Sequence, residues 1–111
     1  MRDKREIMNY QINFYVPQEH CEAVKEAMFD AGAGAVDNYE ACAWQVLGEG
    51  QFRPMQGSSP FLGEQEKLEK VAEYRVEMFC VGEKIKGVIE AMKHAHPYEV
   101  PAYGVVALEA F

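Results

Sequence analysis

The chain is short of the residues that most chemistry needs. It has three histidines, His20, His94 and His96, and no H-x-x-x-H or H-E-x-x-H spacing that would set two on one helix face. Its three cysteines, Cys21, Cys42 and Cys80, are an odd number with no C-x-x-C pair. A zinc knuckle or a closed disulfide framework is therefore not expected, and a reducing cytoplasm fits. Basic residues are few: 11 against 18 acidic, for a net charge of −7. Nucleic acid and anionic membrane, which both need a basic footprint, are not expected as partners. No apolar run approaches the roughly 18 residues of a membrane span, and no charged-then-apolar signal segment opens the chain. No Lys-Ser/Thr follows a glycine as in a phosphate-binding loop.

What is present is a globular composition. At 111 residues, 49% apolar and 26% charged, the chain can bury one workable core. Residues 1–8 read as a loose leader and 9–111 as a single domain.

An internal repeat sets the architecture. A gapless shift of 64 residues, itself a count along the sequence, puts Tyr10 on Tyr74, Val24 on Val88, Met28 on Met92, Ala31 on Ala95, Val36 on Val100 and Tyr39 on Tyr103. Tyr10, Ile12, Phe14 and Val16 alternate with polar neighbours as a half-buried strand does, and Tyr74, Val76, Met78 and Cys80 repeat the pattern. Pro17 suits the first turn of a helix. Cys21, Val24, Met28 and Ala31 then share a helical face, and Gly32 provides a left-handed stop. Ile85, Val88, Ile89 and Met92 have the same helical spacing. Two βαβ halves imply a ferredoxin-like α+β domain, with both helices on one face of an antiparallel sheet.

Between the halves, Cys42 to Leu47 alternates as a strand, Gly48-Glu49-Gly50 turns it, and Gln51-Phe52-Arg53 returns, giving an extra β-hairpin. Residues 55–66 form a Gly/Ser/Pro loop, and alternation resumes at Lys67 with a break near Ala72. At the far end, Pro97 and Pro101 exclude helix, so residues 96–103 form a stiff lead-in to a last strand from Val105 to Leu108.

That lead-in, HPYEVPAY, resembles the closing motif of two related groups: the CutA proteins and the inserted domain of the NIF-three-like (YqfO-type) proteins. Val100 is the CutA-like form. Tyr10 to Pro17, Ala31 to Ala35 with Asn38-Tyr39, and Gly48 to Pro54 with Gly57, Pro60 and Gly63 are similar to the second group in the same order. The resemblance implies a CutA/PII-like fold and a homo-oligomer, with a trimer favoured. It also implies a small ligand or a divalent metal between subunits. The NIF-three-like family is associated with a dinuclear metal centre whose ligands lie in two flanking halves, and this chain has neither. Its cyclohydrolase-type activity is therefore not expected here. Neither a cofactor nor a catalytic residue is expected.

The candidate binding or interface residues are Arg53, His96, Tyr98, Glu99 and Tyr103. His94 and His96 could pair on a metal if extended, or could be a solvated helix end and a locally bonded ring. Arg53 beside glycine amides could hold a phosphate or carboxylate, or could join a surface ion pair. Tyr98-Glu99 could bind a ligand or anchor a subunit contact, with Trp44, Phe52 and Tyr103 near it. The reading is a non-enzymatic oligomeric regulatory or ligand-binding module; the alternative is a CutA-like divalent-metal binder.

Overall fold

The computed structural model describes residues 3–111. Strand β1, Asn9–Pro17, buries Tyr10, Ile12, Phe14 and Val16 and leaves Gln11, Asn13 and Tyr15 half-buried on the other side. This is the outcome that strict alternation dictates. Pro17 closes β1 rather than opening the helix. A 3₁₀ turn, Gln18–His20, intervenes before helix α1, Cys21–Asp30. Strand β2 is Trp44–Phe52 and strand β3 is Glu69–Val81. Helix α2, Ile85–Ala95, and strand β4, Tyr103–Leu108, complete the chain. The four strands lie in the order β2-β3-β1-β4 and are antiparallel throughout. Both helices contribute to one core against the same sheet face. The ferredoxin-like α+β arrangement expected from the repeat is the one found.

The repeat holds in burial as well as in letters. α1 buries Cys21, Val24 and Met28; α2 buries Ile85, Val88 and Met92, each 64 residues further on. It fails after the helices. Val36 and Tyr39, the counterparts of Val100 and Tyr103, make only an isolated bridge, and β2 begins later, at Trp44. The detour is pinned at Gly34. Its N–H donates to the Phe79 carbonyl at 2.8 Å, and its own carbonyl accepts from the Cys42 N–H at 2.9 Å. Gly34 has φ +75°, and a Cβ there would lie 2.8 Å from the Cys42 oxygen and 2.9 Å from the Phe29 ring. Only glycine fits such a position. Cys42, expected to open the strand, therefore precedes it and is half-buried.

The turn expected at Gly48-Glu49-Gly50 does not exist. β2 is one nine-residue strand that passes straight through both glycines, paired to β3 along its whole length. Gly50 is used for clearance: a Cβ there would occupy the space of the Glu73 carboxylate. β3 is likewise unbroken at Ala72. The hairpin is β2–β3 itself, and its connection is the long loop 53–68. Because β1 stops at Pro17, opposite Glu73, residues 69–72 pair with β2 alone and project as an arm. The molecule measures 47 × 28 × 24 Å.

Residues 1 and 2 of the expected leader lie outside the described residues. Beyond them, Lys4–Glu6 form a 3₁₀ turn capped by the Asp3 carboxylate, which accepts from the Arg5 N–H at 2.8 Å. Met8 packs on the core, and Gly82 is buried beneath the carbonyls of Arg5 and Met8.

Candidate ligand cavity

The lead-in between α2 and β4 is held by its histidine. Helix α2 stops at His96, whose ψ of 135° is the extended value that a following proline favours. The ring is buried, 6% exposed. Its Nδ1 accepts the Tyr98 N–H at 3.1 Å. That makes Nδ1 the bare nitrogen, so Nε2 carries the proton and donates to the Tyr15 carbonyl at 2.7 Å. Burial holds the His96 pKa below its ordinary value, against the pull of the Tyr15 carbonyl. Tyr15 binds the lead-in a second time, its N–H donating to the Ala102 carbonyl at 3.2 Å.

Fixing His96 aims Tyr98. The two rings sit 5.1 Å apart, and the Tyr98 ring also meets Phe52 at 5.8 Å. The Tyr98 hydroxyl donates to Glu73 Oε2 at 2.7 Å. Burial and then this carboxylate push the hydroxyl pKa well above the usual tyrosine range, so it stays a donor. Glu73 reaches it through the clearance at Gly50. The next residue, Glu99, accepts the Ser59 N–H at 3.0 Å and so clips the 53–68 loop to the lead-in. The loop has its own stays. The Ser58 hydroxyl donates to the Met55 carbonyl at 2.6 Å, and the Glu66 N–H donates to the Pro54 carbonyl. Phe61 stands edge-on to His20 at 5.3 Å.

Between loop, arm and lead-in lies a cavity of about 260 Å³, walled by Tyr15, Phe52, Pro54, Phe61, Leu62 and Tyr98. Glu73 and Glu99 are the charged groups in its lining. Of the residues singled out in the sequence, the structure brings together Tyr98 and Glu99, with His96 directly behind them. It does not bring Arg53 or Tyr103. Arg53 is exposed and absent from the lining, and the glycine turn expected beside it is a strand. Tyr103 pairs with Phe14 at the start of β4, with the Lys93 ammonium 5.3 Å from its ring centre. His94 is exposed on the last turn of α2, while both ring nitrogens of His96 are already bonded. The two histidines do not converge. Among the described residues no group of three or more His, Cys, Asp or Glu is placed to hold a metal ion.

Sequence reasoning missed Glu73, Tyr15, Phe61 and Leu62, and it expected Phe52 at a subunit contact rather than as a cavity wall. Phe61-Leu62, an apolar pair in an otherwise polar loop, was the available signal. Glu73 gave none, since it looks like any charged strand residue.

A second feature is the sheet face turned away from the helices. The register places Trp44, Val46, Gln11, Asn13, Arg75, Glu77 and Val106 on it. Trp44 is 56% exposed and Val106 55%. At its centre Arg75 pairs with Glu77 at 3.3 Å and lies 5.8 Å from the Tyr15 ring centre. Asn13 Oδ1 and Arg75 Nε are buried there with no hydrogen-bond partner. Buried polar atoms without partners are uncommon in finished structures.

Comparison with known proteins agrees with the fold. No protein-family model matches the chain. It is 48% identical over 94 residues to a protein of Mycobacterium leprae described as a GTP cyclohydrolase 1 type 2 homolog, covering 85% of this chain and 24% of that one. A solved Bacillus cereus protein related to NIF3 superposes with a TM-score of 0.79 at 37% identity, over 93% of this chain and 26% of the other. The periplasmic divalent cation tolerance protein CutA of Archaeoglobus fulgidus superposes with a TM-score of 0.66 at 20% identity, over 94% of this chain and 87% of that one. The last likeness is one of fold. The chain spans about a quarter of the length of the curated relatives it matches. No helix among the described residues is long and apolar enough to cross a membrane.

Proposed function

We propose that this chain, whose homologues are NIF3-family proteins described as GTP cyclohydrolase 1 type 2 homologs, is a non-catalytic binding module that works as an assembly of its own copies. A small ligand enters the cavity between the 53–68 loop and the 96–102 lead-in, and the open sheet face docks a second copy. The observation that carries this reading is the cavity: aromatic walls already held in place, with a few polar groups aimed inward, as in preformed ligand sites. Catalysis is a poorer fit. The Tyr98 hydroxyl is committed to Glu73 and both His96 nitrogens are bonded, so neither serves as a free acid or base beside a nucleophile. The activity named in the relatives' descriptions belongs to proteins about four times this length. Metal binding through His96 Nδ1 would require breaking its hydrogen bond from the Tyr98 N–H, and no second ligand converges on that nitrogen among the described residues. The likeness to CutA favours three copies, and three free thiols suit a reducing cytoplasm.

The test is a panel of small amines, neutral alcohols and carboxylates, followed by amide shifts in nuclear magnetic resonance. Saturable shifts at Phe52, Ser59, Tyr98 and Glu99 from at least one class are expected. A silent panel contradicts the reading.

A further inference from the structure

We infer that the cavity selects small organic cations, protonated or quaternary amines; this rests on the reading of the cavity as a ligand site. Its lining pairs two carboxylates, Glu73 and Glu99, with aromatic rings from Phe52, Phe61 and Tyr98, and includes no lysine, arginine or histidine. None of the ion pairs among the described residues involves either carboxylate. Each accepts one neutral hydrogen bond, from the Tyr98 hydroxyl and from the Ser59 amide. A carboxylate has about four lone-pair positions, so both keep acceptor capacity toward a ligand. Ring faces attract a desolvated cation, and nearby carboxylates add to that attraction.

Charge and size exclude the main competitors. A phosphate or carboxylate would meet two negative charges with no basic group in the lining. The free guanidinium nearest in sequence, Arg53, is outside it, and Arg75 is engaged by Glu77 and the Tyr15 ring. A volume of about 260 Å³ lies below the roughly 300–1,000 Å³ of sites for drug-sized ligands. It suits an ammonium head with a few carbons. The chain's net charge of −7 further raises the local concentration of cations.

The decisive probes are choline and its neutral carbon isostere, in which a tert-butyl group replaces the trimethylammonium, with acetate as the anionic arm. Choline should shift the Phe52, Ser59, Tyr98 and Glu99 amides saturably, with an affinity in the roughly millimolar range expected of so few atoms. The isostere should bind roughly ten-fold more weakly. Glu73→Gln should cost choline a similar factor and cost the isostere less, because the isostere draws nothing from the carboxylate charge; equal losses for both overturn the inference. If Glu73→Gln does not fold, Glu99→Gln serves with the same expected result. Equal binding of choline and isostere overturns the inference but keeps the binding site. So does acetate shifting these amides while choline is silent. If all three are silent the cation inference fails, and silence of the whole panel removes the binding module with it.

Discussion

Replacing His96 with alanine tests the keystone of the cavity. The wild-type ring satisfies two backbone groups, the Tyr15 carbonyl at 2.7 Å and the Tyr98 N–H at 3.1 Å. Alanine leaves both without that partner in a region where the ring itself is 6% exposed. An unsatisfied buried group costs about 1–3 kcal/mol, and the lost ring leaves a void as well. Water reaching the Tyr98 amide offsets part of this, so a total near 3 kcal/mol is expected, a large share of the roughly 5–15 kcal/mol that holds a domain folded. Denaturant midpoints at one fixed protein concentration measure it. The pH dependence identifies the cause. Burial depresses the folded-state pKa of His96 below 6.5, so the unfolded chain takes up the proton first. The stability contributed by the neutral ring is complete above about pH 6.5 and falls as pH drops toward the lower folded value. The slope is at most about 1.4 kcal/mol per pH unit. Other titrating groups are common to both proteins, so the wild-type minus variant difference isolates this ring. A loss under about 1 kcal/mol, or a difference that does not shrink on acidification, would refute the assigned tautomer and its two bonds.

Three further outcomes follow from the packing. Gly82→Ala drives a methyl into the carbonyls of Arg5 and Met8 and should cost about 1–3 kcal/mol by thermal or denaturant unfolding; an unchanged midpoint would mean residues 5–8 do not lie over Gly82. Burial raises the thiol pKa of Cys80 to about 11 and also raises that of Cys21. With a thiol-specific disulfide reagent at neutral pH, Cys42 should react first and the other two only on unfolding, and rapid reaction of all three would contradict the core assignment. Tyr98→Phe removes the hydroxyl from Glu73 and should destabilise by about 0.5–1.5 kcal/mol, with larger amide shifts at residues 50 and 73 than elsewhere.

The parts legible in the sequence were those governed by short-range periodicity. Tyr10 to Val16 and Ile85 to Met92 announce a strand and a helix because one face of each is fully buried. β2 announces little. It is an edge strand with Trp44, Val46 and Leu47 all exposed, so no clean alternation survives, and two glycines mimic a turn. Gly50 answers to Glu73 on the neighbouring strand, a relation that only pairing reveals. The detour after α1 depends on Gly34 meeting Phe79, again a long-range bond. Tyr98 and Glu99 were found because two prolines fix their direction. Glu73, Phe52 and Phe61 come to them from other elements, and local pattern does not encode that meeting.

The uncovered sheet face carries the assembly in this account. Trp44 and Val106 are more than half exposed there, so a second copy has apolar area to bury. Light scattering on a sizing column at tens of micromolar protein reads the outcome as a molar mass. The expected result is three times 12.6 kDa, reduced toward one copy by Trp44→Glu. A stable dimer would remove the three-fold arrangement alone, and a single 12.6 kDa species would contradict self-assembly through this face.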